Sequence, residues 1–345
     1  MSYSFFDKFL HQIVLGSEAV SDLLFDLEQS KLPNGKLDIN AKHIYVCGLA
    51  RAGTTILMKS LYDSGEFASL TYKDMPFILA PNLWARLRKG REQTDELAER
   101  SHGDRILINQ DSPEALEEVF WRLKLEGAYI EKHTLTAHNV EDSILSDYRS
   151  FVSAVLHRYK KSRYLCKNNN NILRLESLFR AFPSALILLP IRDPLQHAIS
   201  LQNQHKRFTK IHQDDTFQRK YMRWLVHHEF GLDHKAMALS EDESQNQSEG
   251  ITQIEYWLRQ WLNVYGNLAG KIEKYKAQNS SKLHVVDYAR LCSEDIKYWN
   301  MVRNLCDLEP VKSHDFKAPD RKDVPVVNTK LLSNCMDVYY GLIGQ

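Results

Sequence analysis

The stretch VCGLARAGTT, residues 46–55, decides the fold, because it joins an apolar strand-like run to a helical segment through a glycine-rich turn. Gly48 and Gly53 stand five positions apart, and Thr54 and Thr55 follow. Glycines permit a tight turn, the turn's N–H groups form a nest, and the helix start adds a positive dipole. The stretch predicts a strand, an anion-binding loop and a helix, unless the turn is purely structural and binds nothing.

The loop differs from that of a nucleoside triphosphatase at one position. There, a lysine after the second glycine reaches the β and γ phosphates, and the next hydroxyl holds magnesium. Here Thr54 occupies the lysine position, and the basic residue is Arg51 inside the loop. No apolar run ends in a clear magnesium-binding aspartate either. The sequence therefore disfavours triphosphate hydrolysis.

Apolar strand-like runs alternate with helical segments along the chain. This alternation predicts an α/β fold of three layers, in which a central, mostly parallel sheet has helices on both faces. No break in composition divides the chain, so we expect a single domain over residues 1–345. The predicted strands are residues 43–49, 105–109, 163–167, 185–191 and 282–288.

Composition excludes several classes of function. The 45 basic and 44 acidic residues leave a net charge of +1, so no global basic field favours nucleic acid as a partner. The five cysteines are scattered and odd in number, which is typical of free thiols in a reducing compartment. No apolar stretch approaches the length of a bilayer-spanning helix. These features predict a cytoplasmic protein without an integral membrane segment.

Two further segments have a distinct composition. Residues 1–30 have apolar residues at helical spacing interrupted by charges, which predicts an amphipathic N-terminal helix and not a signal peptide. Residues 238–250, ALSEDESQNQSEG, are polar and acidic, which predicts a mobile loop that is either a lid or plain solvated chain.

A second group of chemically suitable residues follows the most apolar strand. Residues 185–208 read ALILLPIRDPLQHAISLQNQHKRF, so a buried strand ends at Arg192, Pro194 opens a helix, and Ser200 lies two turns into it. Ligands of doubly wound sheets bind at the carboxyl ends of the strands. Arginine and serine suit a phosphate there. The alternative is that Arg192 and Asp193 form a surface pair that caps the helix.

Taken together, the lysine-less loop and this strand-R-D-P-x-x-x-x-x-S element resemble the sulfotransferase superfamily that uses 3′-phosphoadenosine 5′-phosphosulfate (PAPS). The segment YLCKNNNNILRLESLFRAFPSA ahead of the strand is also similar, with Lys167 at a position that is often basic. The chain departs from the family at the asparagines 168–171, where a Thr-Pro pair is common, so no role is transferred to them.

The resemblance implies a P-loop-like sulfotransferase fold and a metal-free reaction in which PAPS donates a sulfuryl group to a hydroxyl or amine of an acceptor. Arg51 would stabilise the leaving phosphate, the loop would hold the 5′-phosphosulfate, and Arg192 with Ser200 would hold the 3′-phosphate. The implied cofactor-binding residues are Arg51, Ala52, Gly53, Thr54, Thr55, Arg192 and Ser200.

The acceptor must also lose a proton, and a positioned carboxylate or histidine is the usual base. Many family members have an acidic residue about twenty positions after the loop, and Asp74 is the candidate here, although it could instead pair with its neighbour Lys73. Asp111 and His102, beside the predicted strand 105–109, are the runners-up.

Acidic and basic residues elsewhere are less decisive. Ser112, Pro113 and Glu114 predict the capped start of a helix, which makes Glu114 a dipole partner and leaves Glu117 and Glu118 open. A C-terminal loop carries basic residues that family members commonly use to close the 3′-phosphate site, but solvated charge explains them equally well: Lys317, Arg321 and Lys322.

The sequence leaves two alternative functions open. The chain could be an atypical P-loop kinase, which would bind ATP with magnesium, or a non-catalytic nucleotide-binding or interaction module of the same fold. The sequence does not reveal the oligomeric state or the acceptor, so sugar, lipid-linked, peptide and small-molecule hydroxyls all remain open.

Overall fold

The computed structural model describes residues 4–33, 37–88, 98–99, 107–108, 110–240, 250–277, 282–293, 296–318 and 323–344. Its strands are β1 (Ile44–Val46), β2 (Phe67–Ala68), β3 (Ala98–Glu99), β4 (Leu107–Ile108), β5 (Thr134–Thr136), β6 (Arg163–Lys167), β7 (Leu186–Ile191), β8 (Ala236–Ala238) and β9 (Leu283–Asp287).

The α-helices are α1 (Phe5–Gly16), α2 (Glu18–Lys31), α3 (Thr54–Tyr62), α4 (Pro81–Leu87), α5 (Glu118–Lys124), α6 (Asp142–Tyr159), α7 (Leu175–Ala181), α8 (Pro194–Asp214), α9 (Thr216–Trp224), α10 (Ile254–Ala277), α11 (Tyr288–Leu291), α12 (Ile296–Leu305) and α13 (Thr329–Ile343). Short 3₁₀ helices span Tyr72–Asp74 and Asn169–Leu173.

A five-stranded sheet in the order β2-β6-β1-β7-β9 forms the centre of the fold. All of its neighbouring strands run parallel. Parallel strands need helical crossovers, which the helical segments between these strands supply. The carboxyl ends of β1, β6, β7 and β9 therefore meet at one edge of the sheet, where the loop after β1 lies.

Alternating side chains of the sheet belong to two separate hydrophobic clusters. Ile44 and Val46 pack with Leu57 and Leu61 of α3, together with residues of α12. Tyr45 lies in the other cluster, which includes residues of α6, α7, α8 and α10. Both faces of the sheet are thus covered, as an all-parallel sheet requires. The predicted three-layer α/β fold with a central, mostly parallel sheet is confirmed.

Two predicted elements, the strand 105–109 and the N-terminal helix, differ from the structure. Within the run 105–109, the described residues Leu107–Ile108 form β4, which pairs antiparallel with β3 and not with the central sheet. The edge position of the central sheet is taken by β2. The single helix predicted over residues 1–30 is two helices. Ser17 separates them, and its hydroxyl caps α2 by accepting a hydrogen bond from Val20 N at 3.4 Å.

The prediction of a helix that begins at Ser112 is wrong. Pro113 forms an antiparallel bridge with Thr71, and α5 begins only at Glu118. Glu114 is therefore not a dipole partner of a first turn; its carboxylate accepts hydrogen bonds from the Tyr72 hydroxyl and from Ala115 N. Backbone pairing with the segment after β2 takes precedence here over the local capping signal.

Membrane and thiol predictions can be compared with the described chain. Among the described residues, no helix is long and apolar enough to cross a membrane. The five cysteines are free, and all but Cys292 are buried. Within the predicted loop 238–250, residues 241–249 lie outside the described residues.

Candidate functional site

The loop after β1 has the backbone of an anion-binding nest. Arg51 and Gly53 both have left-handed conformations, with φ of 71° and 101°, and α3 begins at Thr54 directly afterwards. Left-handed residues between right-handed ones turn successive N–H groups toward one point, and the helix dipole adds positive potential there. Thr54 is buried at 3% exposure, whereas Thr55 is partly exposed. The geometry suits a phosphate-like group.

A buried histidine fixes this loop to α8. His197 Nε2–H donates a hydrogen bond of 2.8 Å to the carbonyl of Ala50, next to Arg51. Burial lowers the pKa of His197 to about 3, so the ring is neutral at physiological pH. Because His197 lies between Arg192 and Ser200 in the chain, it ties the two sequence motifs to each other.

The residues of the two motifs meet at the edge of the sheet. Arg51 Nε donates to Ser200 Oγ at 3.4 Å. Burial lowers the pKa of Arg192, which directly follows β7, and the positive charge of Arg51 lowers it further. Asp193 does cap α8, because its Oδ1 accepts a hydrogen bond of 2.8 Å from Gln196 N. The guanidinium groups of Arg51 and Arg192 repel each other near the start of α3. An anion bound between them would reduce this repulsion.

Tyr288 completes the site from β9 and was missed by the sequence reasoning. It is the first residue of α11, and a Cβ built on Gly53 would lie 2.4 Å from its ring. Burial raises the pKa of its hydroxyl, whereas Arg192 and Arg51 lower it, so the hydroxyl lies within electrostatic reach of both guanidinium groups. The tyrosine thus packs against the loop glycine and borders the predicted phosphate site.

Replacing Gly53 by alanine is expected to weaken the binding of adenosine 3′,5′-bisphosphate by at least about tenfold. The new methyl group would displace Tyr288, and a left-handed alanine costs roughly 1–2 kcal/mol. Titration calorimetry measures the effect. Gly270→Ala in α10 is the matched control, because its Cβ would meet nothing within 4 Å. Equal affinities for all three proteins would show that the loop conformation is unimportant for binding.

Several polar residues lie at the carboxyl end of β6, the strand that neighbours β1. Lys167 pairs in register with Val46, and Asn168 N donates to the Val46 carbonyl at 3.1 Å. Asn169 Nδ2 donates to Glu229 Oε1 at 2.8 Å, and Asn169 Oδ1 is buried without a hydrogen-bond partner among the described residues. The segment after α9 therefore brings a carboxylate to the carboxyl end of β6.

The charge state of Glu229 follows from its neighbours. Burial raises the pKa of this carboxyl group, but the positive charges of His227 and Lys167 and the hydrogen bond from Asn169 outweigh that effect, so the pKa lies below its ordinary value. The lowered pKa keeps the carboxylate ionised at neutral pH; the carboxyl group itself is buried, although the residue as a whole is partly exposed. It can accept a proton.

The four asparagines 168–171 form part of a buried polar network. Arg174 donates to both carboxylate oxygens of Glu118, at 2.8 and 2.6 Å, and Asn168 Nδ2 donates to Glu118 Oε2 at 2.6 Å. Glu117 accepts hydrogen bonds from Asn171 and from the hydroxyl of Tyr148. Glu117 and Glu118, which the sequence left open, are therefore fully occupied by structural contacts.

Asp74, the predicted base, is 1% exposed in the 3₁₀ helix after β2. Its Oδ2 accepts hydrogen bonds from Thr71 N at 2.8 Å and from the Tyr159 hydroxyl at 2.6 Å, while Arg158 Nε lies 3.9 Å from Oδ1. These contacts cap the 3₁₀ helix and hold it to α6. Lys73 pairs with Asp111 and not with Asp74.

The other candidates for the base, and the C-terminal basic residues, lie partly outside the described residues. Asp111 was favoured because it follows a predicted sheet strand, but that strand is outside the central sheet, so this reason no longer holds. His102 lies outside the described residues, as do Arg321 and Lys322. The carbonyl of Lys317 accepts a hydrogen bond from Cys292 Sγ at 3.3 Å, close to Tyr288. Among the described residues, no three histidine, cysteine or acidic side chains are grouped to hold a metal ion.

Comparisons with known proteins give one match to a protein family. A family model described as "Sulfotransferase family" matches residues 43–238, which is more than half of the chain and includes Arg51, Lys167, Arg192, Ser200 and Glu229. No curated protein matches the sequence.

Two solved structures are similar to the chain. The sulfotransferase STF1 from Mycobacterium tuberculosis H37Rv has 12% sequence identity and a TM-score of 0.47, over 97% of this chain and 85% of that one. The sulfotransferase STF9 from Mycobacterium avium has 12% identity and a TM-score of 0.47, over 99% of this chain and 78% of that one.

Proposed function

The chain belongs to the sulfotransferase family, and we propose that it transfers the sulfuryl group of PAPS to a hydroxyl or amine of an acceptor molecule. The observation that carries this proposal is the contact between the two sequence motifs. Arg51 of the first loop donates a hydrogen bond to Ser200, which lies eight residues after Arg192. The positive charge of Arg51 also lowers the pKa of Arg192, so the two guanidinium groups interact. This contact supports the proposal that the residues expected to hold the two ends of the donor act as one site.

Each part of the site has a role in holding the donor. The nest from Ala52 to Thr55 and the start of α3 would bind the 5′-phosphate through N–H groups, as helix starts bind anions generally. Arg192 and Ser200 would bind the 3′-phosphate with a guanidinium fork and a hydroxyl. Tyr288 packs against Gly53 and borders these groups.

PAPS would supply the sulfuryl group, whose bond to the bridging phosphate oxygen breaks as its bond to the acceptor oxygen forms. Like phosphoryl transfer, such a displacement depends on positioning and charge stabilisation. Arg51 would stabilise the negative charge that develops on the bridging oxygen. A preorganised cation of this kind contributes most in a site from which water is excluded.

For the base, the structure favours Glu229 over Asp74. Glu229 is ionised and bound to Asn169 at the carboxyl end of β6, and its residue is partly exposed. Asp74 is 1% exposed, its Oδ2 is held by Thr71 and Tyr159, and the guanidinium of Arg158 lies beside its Oδ1. We therefore assign to Glu229 the removal of the acceptor proton and to Lys167 the stabilisation of that carboxylate. The base role of Asp74 stays the prediction of the sequence.

The two assignments differ in their expected results. Glu229→Gln is expected to lower turnover about a hundredfold and to leave the affinity for adenosine 3′,5′-bisphosphate unchanged, because an amide cannot take the proton. Asp74→Asn is expected to lower the free energy of unfolding by about 1–3 kcal/mol through its lost capping contacts, with turnover of the folded protein little changed. Urea unfolding and initial rates measure both. A large loss of turnover in Asp74→Asn alone would make Asp74 the base.

The overall reaction is tested with sulfur-labelled PAPS and a panel of glycans, phenols and peptides. The wild-type protein is expected to label at least one acceptor, and Arg51→Ala to lower that rate by about 10²–10³. Labelling of no acceptor together with no binding of PAPS would refute the proposal, and phosphate transfer from ATP with magnesium would replace it by the kinase alternative.

A further inference from the structure

A large open cleft lies outside the site described above. It has a volume of about 1120 Å³ and is bordered by α1, the start of α2, α5, the loop before β5, α9 and the segment 228–235. Small-molecule sites usually occupy roughly 300–1,000 Å³. This cleft therefore has room for an oligomeric ligand.

The walls of the cleft are strongly basic, although the whole chain has a net charge of only +1. They contain the cations Arg122, Lys132, Lys220, Arg223 and Lys235. The only acidic side chain among the lining residues is Asp233. Both oxygens of Asp233 are already bound by Arg219, at 2.7 and 2.8 Å. The cleft thus concentrates positive charge that its own carboxylate does not neutralise.

Two of these cations are held in unfavourable surroundings. Burial lowers the pKa of Arg122 despite the nearby charge of Glu18, and its Nε has no hydrogen-bond partner among the described residues. Burial also lowers the pKa of Lys235, and the like charge of Arg223 lowers it further, whereas Asp233 raises it. Lys235 Nζ is fixed by the carbonyls of Glu131 and Lys132. A bound anion would relieve the repulsion between Lys235 and Arg223.

The cleft also presents surface suited to sugars. Trp224 lines it together with polar groups such as Gln12 and Ser17. An indole combines an apolar face with a hydrogen-bond donor, which matches the apolar and hydroxyl faces of a sugar ring. Charge alone would also attract nucleic acid, but a sulfuryl acceptor has to offer hydroxyl groups in reach of the base.

The cleft adjoins the proposed base through one short segment. His228 lines the cleft, and the next residue, Glu229, binds Asn169 at the carboxyl end of β6. The cleft and the proposed base are therefore formed by adjacent residues of one segment.

We propose that the cleft between α1, α9 and residues 228–235 binds an acidic glycan, carboxylated or sulfated, and that this glycan is the acceptor. The choice of a glycan as acceptor rests on the proposed sulfuryl transfer, whereas the anion site rests on the cleft alone.

Fluorescence anisotropy with labelled hexasaccharides tests this inference. The wild-type protein is expected to bind a heparin hexasaccharide or a galacturonic acid hexamer at least about tenfold more tightly than neutral maltohexaose or a DNA oligonucleotide. Lys220→Glu with Arg223→Glu is expected to lower that affinity at least about tenfold. The double variant Lys206→Glu with Arg207→Glu, on the exposed surface of α8 and outside the cleft lining, changes the same charge and is expected to have little effect.

Each result has a definite meaning. Equal losses in both double variants, or tightest binding of the oligonucleotide, would overturn the glycan site. Binding of the galacturonate probe shows that carboxylates are sufficient for recognition, whereas binding of the heparin probe alone shows that sulfate groups are required. Titration of the same preparations with adenosine 3′,5′-bisphosphate separates the two proposals. Nucleotide binding without glycan binding removes only this inference. Glycan binding without nucleotide binding removes the proposed sulfuryl transfer, and with it the acceptor role of the glycan, but leaves the anion site in the cleft.

Discussion

Replacing Arg192 by alanine is expected to lower the affinity for adenosine 3′,5′-bisphosphate about a hundredfold and to spare adenosine 5′-phosphate. Arg192 follows the last residue of β7 and is partly buried, so the 3′-phosphate would lose a charged partner in a partly desolvated site. Removing one partner of such a buried charge pair costs about 2–5 kcal/mol. Titration calorimetry with both nucleotides measures the difference.

Ser200→Ala refines this test. A neutral hydroxyl contributes less than a guanidinium, so its removal is expected to lower the affinity for the bisphosphate by about tenfold or less. The variant also removes the Arg51–Ser200 contact of 3.4 Å. If Arg192→Ala weakened the two nucleotides equally, Arg192 would not recognise the 3′-phosphate.

Replacing Arg174 by alanine is expected to lower the free energy of unfolding by about 3–5 kcal/mol, because it leaves a buried carboxylate without its cation. The Arg174 side chain is fully buried and holds both oxygens of Glu118, which the Tyr129 hydroxyl and Asn168 also bind. Urea denaturation monitored by circular dichroism measures the loss.

Arg180→Ala is the matched control, in the helix α7 that begins directly after Arg174. Arg180 pairs with Asp142, but their side chains are 45% and 85% exposed. An exposed pair contributes about 0–1 kcal/mol. If the two variants lost similar stability, the Glu118–Arg174 pair would not be a buried anchor of the asparagine run.

Local sequence signals were sufficient to predict the central strands of the sheet and the turn that follows β1. Residues 185–191 are apolar without alternation, as a strand covered on both faces should be, and they pair with the strand-like run 43–49 in the parallel sheet. The turn at Gly53 followed from its spacing, because its conformation depends on the local chain. The contact between Arg51 and Ser200 could be expected only from the rule that parallel strands share a carboxyl edge.

The rest of the site depends on contacts between distant segments. Tyr288 packs on Gly53, and Glu229 binds Asn169, although neither pair is close in sequence. The run of four asparagines was a visible signal, since buried amides need partners, but the sequence did not indicate which partners. Likewise, the capping signal at Ser112 was local, whereas the bridge between Pro113 and Thr71 that replaced it is not.

The binding of a PAPS-like donor is tested most directly by a calorimetric titration of the purified wild-type protein with adenosine 3′,5′-bisphosphate, with ATP plus magnesium as the comparison. We expect tight binding of the bisphosphate at one site and much weaker binding of ATP. Binding of ATP with magnesium alone, or of neither nucleotide, would contradict the claim that the loop after β1 and Arg192 together hold a PAPS-like donor.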